Sequence, residues 1–192
     1  MERSRLDIHH LITECIRNNR RAQLTLYKLY AKTMYNTCLR IVKNTTTAED
    51  IVQEAFLSAF QSLKDFRNEV PFELWLRKII INKSLDYYRR QKKSLVEYQE
   101  DLAASDESYN PDIEPAPDSD TRKILVQHIK DIVMLLPDGY RVIFSLFYFE
   151  GYDHDEIGQI LNISASTSRS QLTRAKQRII SNLSKNHDLN AG

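Results

Sequence analysis

The stretch of residues 94–120 most limits what this chain can build. Residues 97–120 hold nine acidic side chains and no basic one, and three of the five prolines (Pro111, Pro115, Pro117) fall in the same stretch. Few large apolar residues accompany them beyond Leu95, Val96, Leu102 and Ile113. Such a composition buries too little apolar surface to offset the entropy of ordering, so a flexible acidic linker is expected here. Each flank must then form its own core: residues 1–93 on one side and 121–186 on the other, with 187–192 as a tail. A plain spacer explains the linker. A second reading is a negative strand that mimics nucleic acid in a partner's basic channel.

Both flanks carry helical periodicity, so the fold expected is all-α: two small helical domains, the second a helix-turn-helix. In the first, Leu11, Cys15 and Ile16 mark a short helix. Tyr27, Ala31, Met34, Cys38 and Ile41 mark a longer one. Thr47-Ala48-Glu49-Asp50 has the form of a capping box and opens a third, with Val52, Phe56, Ala59 and Leu63 as its buried stripe. Glu49, Asp50, Gln53 and Glu54 lie opposite that stripe. Acids near a helix N-terminus also suit a merely solvated face, because the dipole favours them there, and the residues alone favour that reading.

Residues 65–70, with Phe66 and Arg67, form a loop, and Pro71 at a first helical position starts a fourth helix. Residues 71–93 read PFELWLRKIIINKSLDYYRRQKK. Wound at about 100° per residue, this segment is apolar on two flanks, with Phe72, Trp75, Leu76, Ile79, Ile80 and Tyr87 on one and Leu74, Ile81, Leu85 and Tyr88 on the other. Between them runs a polar stripe of Lys78, Asn82, Asp86 and Arg89. Residues 77–93 hold seven basic side chains against one Asp. Aromatics beside Lys and Arg suit unstacked bases and phosphates. A core helix whose basic last turn complements its own dipole fits equally well.

In the second flank, Ile124, Leu125, Ile129, Ile132, Val133 and Leu136 predict a helix ended by Pro137. Val142, Ile143, Leu146 and Phe147 predict another, ended by Gly151. Asp153-His154-Asp155-Glu156 is a capping box that opens a short helix with Ile157, Ile160 and Leu161 inward. Asn162 can take the left-handed conformation in the turn that follows. Ser164 caps the last helix, with Leu172, Ala175, Ile179 and Leu183 inside. Its outer face offers Thr167, Arg169, Ser170, Gln171, Arg174 and Arg178. A short helix, a tight turn and a longer basic helix make a helix-turn-helix. Residues 164–186 hold five basic side chains and no acidic one, which a purely structural hairpin would not require. The net charge of +1 hides this alternation of basic, acidic and basic segments.

Other chemistry is not indicated. The five His show no paired metal spacing, capping explains Asp153 and Asp155, and the four Gly stand apart from any phosphate loop. No nucleophile context occurs, so neither an enzyme nor a bound metal, cofactor or small-molecule substrate is expected. Cys15 and Cys38, without CxxC spacing, read as buried free thiols in a reducing cytoplasm. The N-terminus lacks an apolar signal region, and the longest apolar run, residues 142–149, is too short to span a membrane.

Taken together the segments resemble the extracytoplasmic-function sigma factors, the small promoter-specificity subunits of bacterial RNA polymerase. Residues 48–60, AEDIVQEAFLSAF, resemble that family's polymerase-binding helix, which implies core-polymerase contacts through Asp50, Gln53 and Glu54 and displaces the solvated-face reading. Residues 72–90, FELWLRKIIINKSLDYYRR, resemble the helix that melts and reads the −10 element. That implies DNA contacts from Phe66, Phe72, Trp75, Lys78, Asn82, Arg89 and Arg90. Residues 135–179 are similar to the −35-reading domain, which assigns the outer face of the last helix, Ser166 to Arg178, to that element. The resemblance implies core RNA polymerase and promoter DNA as partners, and an anti-sigma factor, often membrane-tethered, as regulator. The chain departs from the family's pattern at Ser168, where an apolar residue is usual, at Gln171, usually basic, and at Asn162 and Ser166, where Gly is favoured. The alternative is a stand-alone helix-turn-helix regulator that does not bind core polymerase; no dimerisation heptads support it.

Overall fold

The computed structural model describes the backbone of residues 2–91 and 119–190 and the side chains of 8–91 and 123–183. The expected linker lies outside the described residues, except for 119 and 120, which open a helix. The described residues are helical and contain no strand. They divide into two compact units, Met1–Lys93 and Ser94–Gly192.

The first unit holds α1 (Glu2–Ile16), α2 (Arg20–Val42), α3 (Thr45–Ser62), a 3-10 turn (Leu63–Asp65) and α4 (Phe72–Gln91). α2 and α3 pack against each other and against α4. Ala48, Ala55 and Ala59 are fully buried on α3, and these small side chains let the neighbouring helices approach closely. Leu26, Met34, Leu76 and Ile80 fill the space between them. Ser84 is buried on α4, where its hydroxyl donates to Ile80 O (2.7 Å) and lies 3.1 Å from Cys38 Sγ. Burial pushes the thiols of Cys15 and Cys38 up to about 11, aided at Cys15 by the Glu14 charge.

Several local expectations change. Asn44, not Thr47, caps α3: its Oδ1 accepts from Thr47 N at 2.9 Å, and the helix starts earlier than the capping-box pattern indicated. Thr47, one turn inside, instead donates to Tyr87 Oη on α4 at 3.4 Å. Pro71 stands just before α4, where its carbonyl accepts from Trp75 N at 3.2 Å. Leu74, on one of the apolar flanks of α4, and Ile16, at the end of α1, are 50% and 46% exposed.

The second unit holds α5 (Ser119–Leu135), α6 (Asp138–Tyr148), α7 (His154–Leu161) and α8 (Ala165–Asn190). Asp153 caps α7 as its motif predicts, accepting from Asp155 N (2.9 Å) and Glu156 N (2.8 Å), while Glu156 Oε2 accepts from Asp153 N. Asn162 closes α7 at φ 56°, taking the left-handed conformation expected of it in this turn. Gly158 cannot be replaced as easily: a Cβ there would come within 2.8 Å of Ile163 O. Arg141, wholly buried on α6, is paired with Asp138 Oδ1 at 2.6 Å. Among its described side chains, α5 packs through its second half. Ile132, Val133 and Leu136 are buried, but Ile124 and Leu125, expected inside, are 71% and 42% exposed.

Candidate functional site

On α3 the buried alanines turn the opposite face outward, and Asp50, Gln53 and Glu54 are all exposed there. Leu57, one turn further along the same face, is 63% exposed. An apolar side chain amid carboxylates and an amide makes this patch unlike a solvated acidic face. The sequence signal was present: Leu57 is out of phase with the buried stripe of Val52, Phe56 and Ala59. Glu54 Oε2 lies 3.8 Å from Lys83 Nζ on α4. The two helices border a cavity of about 320 Å³ whose lining includes Asp50, Glu54, Lys83, Asp86 and Arg90. The acidic face of α3 thus adjoins the cationic side of α4.

On α4 the polar stripe is exposed: Lys78, Asn82, Asp86, Arg89 and Arg90 all face solvent. Asp86 and Arg89 pair at 2.9 Å, which orients that guanidinium along the helix. Asn82 is two turns from Trp75 and on the same side of the helix, about 10 Å along its axis. At the N-terminal end, the rings of Phe66, Phe72 and Trp75 pack together, with centroids 5.0 Å apart for Phe66–Trp75, 5.8 Å for Phe66–Phe72 and 5.7 Å for Phe72–Trp75. Phe72, expected at the DNA surface, is buried and also meets Tyr30. It packs against both of the other rings. Phe66 and Trp75 are half-buried and line a cavity of about 270 Å³ with Asp65, Arg67, Glu69 and Val70. Asn68, at φ 57°, turns the loop at this rim.

On α8, Ser164 caps the helix by accepting from Thr167 N at 3.0 Å, and its Oγ also meets Ser166 Oγ (2.8 Å) and Thr167 Oγ1 (2.7 Å). Hydroxyls and unsatisfied N–H groups at a helix N-terminus suit a phosphate. Ser166, Arg169, Ser170 and Arg178 are exposed; Thr167, Gln171 and Arg174 are half-buried. Arg178 sits over the Tyr140 ring at 5.3 Å and Lys176 over Tyr148 at 5.6 Å, so aromatic residues of α6 hold both cations on the flank of the helix. The sequence reading missed Leu57, Lys83 and Lys176. The two lysines gain meaning only from neighbours on other helices.

Among the described residues no group of three or more His, Cys, Asp or Glu is arranged to hold a metal ion. No described helix is long and apolar enough to cross a membrane.

Two bundles with these faces, the second a helix-turn-helix, correspond to parts of the sigma-70 proteins: Sigma-70 region 2 matches residues 26–94 and Sigma-70 region 4 matches residues 127–179. The chain is 30% identical over 154 residues to the ECF RNA polymerase sigma factor SigM of Bacillus subtilis (strain 168), covering 80% of this chain and 90% of that protein. It is 30% identical over 156 residues to SigW of the same organism, covering 79% and 83%. The structure of CnrH in complex with the cytosolic domain of CnrY shares the fold, with a TM-score of 0.50 and 20% identity over 91% of this chain and 96% of that one. The chain belongs to the ECF RNA polymerase sigma factors. It directs promoter-specific transcription with core RNA polymerase.

Proposed function

We propose the following division of labour within the chain. Residues 1–93 bind core polymerase and the −10 element, 94–120 connect, and 121–186 read the −35 element. Asp50, Gln53 and Glu54, joined by Leu57, dock on the core enzyme. α8 lies in the major groove of the −35 element through Ser166, Thr167, Arg169, Ser170, Gln171 and Arg174, with Arg178 on the phosphates.

At the −10 element, an unstacked non-template base enters the cavity edged by Phe66 and Trp75, while Lys78, Asn82, Arg89 and Arg90 track the strand. One observation carries this reading: Asn82 and Lys78 are open to solvent on the side of α4 that carries Trp75 and its cavity. Extracting a base costs a few kcal/mol, comparable to the ~1–3 kcal/mol that stacking on an aromatic ring returns. Binding energy from the core and the −35 element therefore contributes to melting. The role is that of a cytoplasmic, non-enzymatic specificity subunit. An anti-sigma factor that covers these faces is its expected regulator.

In vitro transcription with purified core polymerase tests the reading. Gln53→Ala should lose initiation through core binding, and Arg174→Ala through promoter binding. Asn82→Ala should leave both intact and reduce open-complex formation. Initiation indifferent to addition of this chain would reject the assignment.

A further inference from the structure

Ser168 is one of the departures from the family pattern, a hydroxyl on the inner face of α8, and it is fully buried. Its Oγ has one side-chain partner, His154 Nδ1 at 2.9 Å. His154 is the first helical residue of α7, and its backbone is held by the adjacent Asp153 capping box. The plane of its ring is held too, by stacking on Phe147 of α6, with centroids 4.9 Å apart and planes at 27°. One imidazole therefore ties all three helices around the turn that presents α8. Ile157 and Leu161 on α7 and Leu172 and Ala175 on α8 are buried apolar side chains. Apolar packing is non-directional and tolerates small rotations, whereas a hydrogen bond weakens steeply with misalignment. Thr167 and Arg169 flank Ser168, so whatever sets the rotation of Ser168 also sets where those side chains point.

We propose that His154 and Ser168 form a polar latch that fixes the rotation of α8 on α7, which makes both of them positioning residues for −35 readout. This rests on the reading that α8 meets the −35 element. The latch acts as a unit, because the Ser168 hydroxyl and the His154 imidazole are each other's side-chain partner. Removing either partner leaves the other polar group without its bond, whereas replacing both with apolar groups removes the conflict.

The test is selection from a promoter library randomised across the −35 region, using holoenzyme assembled from the full chain and purified core polymerase. The unaltered chain should select a defined −35 sequence. Ser168→Ala and His154→Phe should each lower discrimination between selected and scrambled −35 sequences by about tenfold, and the double variant His154→Phe/Ser168→Val should recover it. Thermal melts establish that each protein is folded at the selection temperature. The imidazole nitrogen shifts of His154, read by NMR in Ser168→Ala, should move even if the double variant fails to fold. Single variants that select as sharply as the unaltered chain, a folded double variant no better than the singles, or unmoved His154 shifts would each overturn the latch. An unaltered chain that selects no −35 sequence would instead overturn the reading of α8 on which the latch depends.

Discussion

Replacing Leu57 by Ala tests the proposed polymerase-binding face directly, because that side chain does little for the isolated fold. It is 63% exposed, whereas Phe56 beside it is 2% exposed. Fully burying a Leu side chain is worth about 1.5–3 kcal/mol, so roughly 1–2 kcal/mol of that remains for a partner to collect. Ala retains part of the contact, which sets the expected loss near ~1 kcal/mol, or about fivefold to tenfold in Kd. The assay is a fluorescence-anisotropy titration of the labelled chain with core polymerase, run beside a thermal melt. Leu57→Ala should weaken binding and leave the melting temperature unchanged. Phe56→Ala should cost about 3–5 kcal/mol of stability instead. Salt separates the contributions on this face: the loss from Glu54→Gln should shrink as ionic strength rises, and the loss from Leu57→Ala should not. An unchanged Kd for Leu57→Ala, or a melting temperature that falls in step with Kd, would refute the placement of Leu57 in the interface.

The remaining predictions concern the scaffold. Asn44→Ala should destabilise the first unit by about 1 kcal/mol in a urea titration, and Thr47→Ala by less, because Asn44 is the cap. Gly158→Ala should lower the melting transition of the second unit by about 1–3 kcal/mol, since the new Cβ would press on Ile163 O. Cys15 and Cys38 have folded values raised to about 11, against ~8.5 for an exposed thiol. The folded state therefore holds its thiol protons longer than the unfolded chain, so their contribution to stability is complete below pH ~8.5 and is lost as pH rises towards 11. Urea midpoints measured at pH about 7 and about 10 should differ in that direction, and a thiol reagent should react only as the chain unfolds.

What could be read directly from the residues was whatever depends on neighbours along the chain. Periodicity placed the helices, because burying one face of a helix imposes a 3.6-residue repeat wherever the partner lies. Asp153 and Ser164 announced two helix starts, and Asn162 a left-handed turn, since caps and turns are settled within a few residues. The stripe from Lys78 to Arg89 was legible for the same reason. Resemblance to a family, rather than periodicity, assigned the acidic face of α3 to polymerase. The tertiary structure alone decided which apolar positions have a facing surface. Phe72 goes under the aromatic cluster, while Leu57, Leu74 and Ile124 stay outside, because burial depends on packing partners remote in sequence. It also paired Ser168 with His154, 14 residues earlier, and so made a buried hydroxyl that looked anomalous on its helix part of a hydrogen bond between two helices.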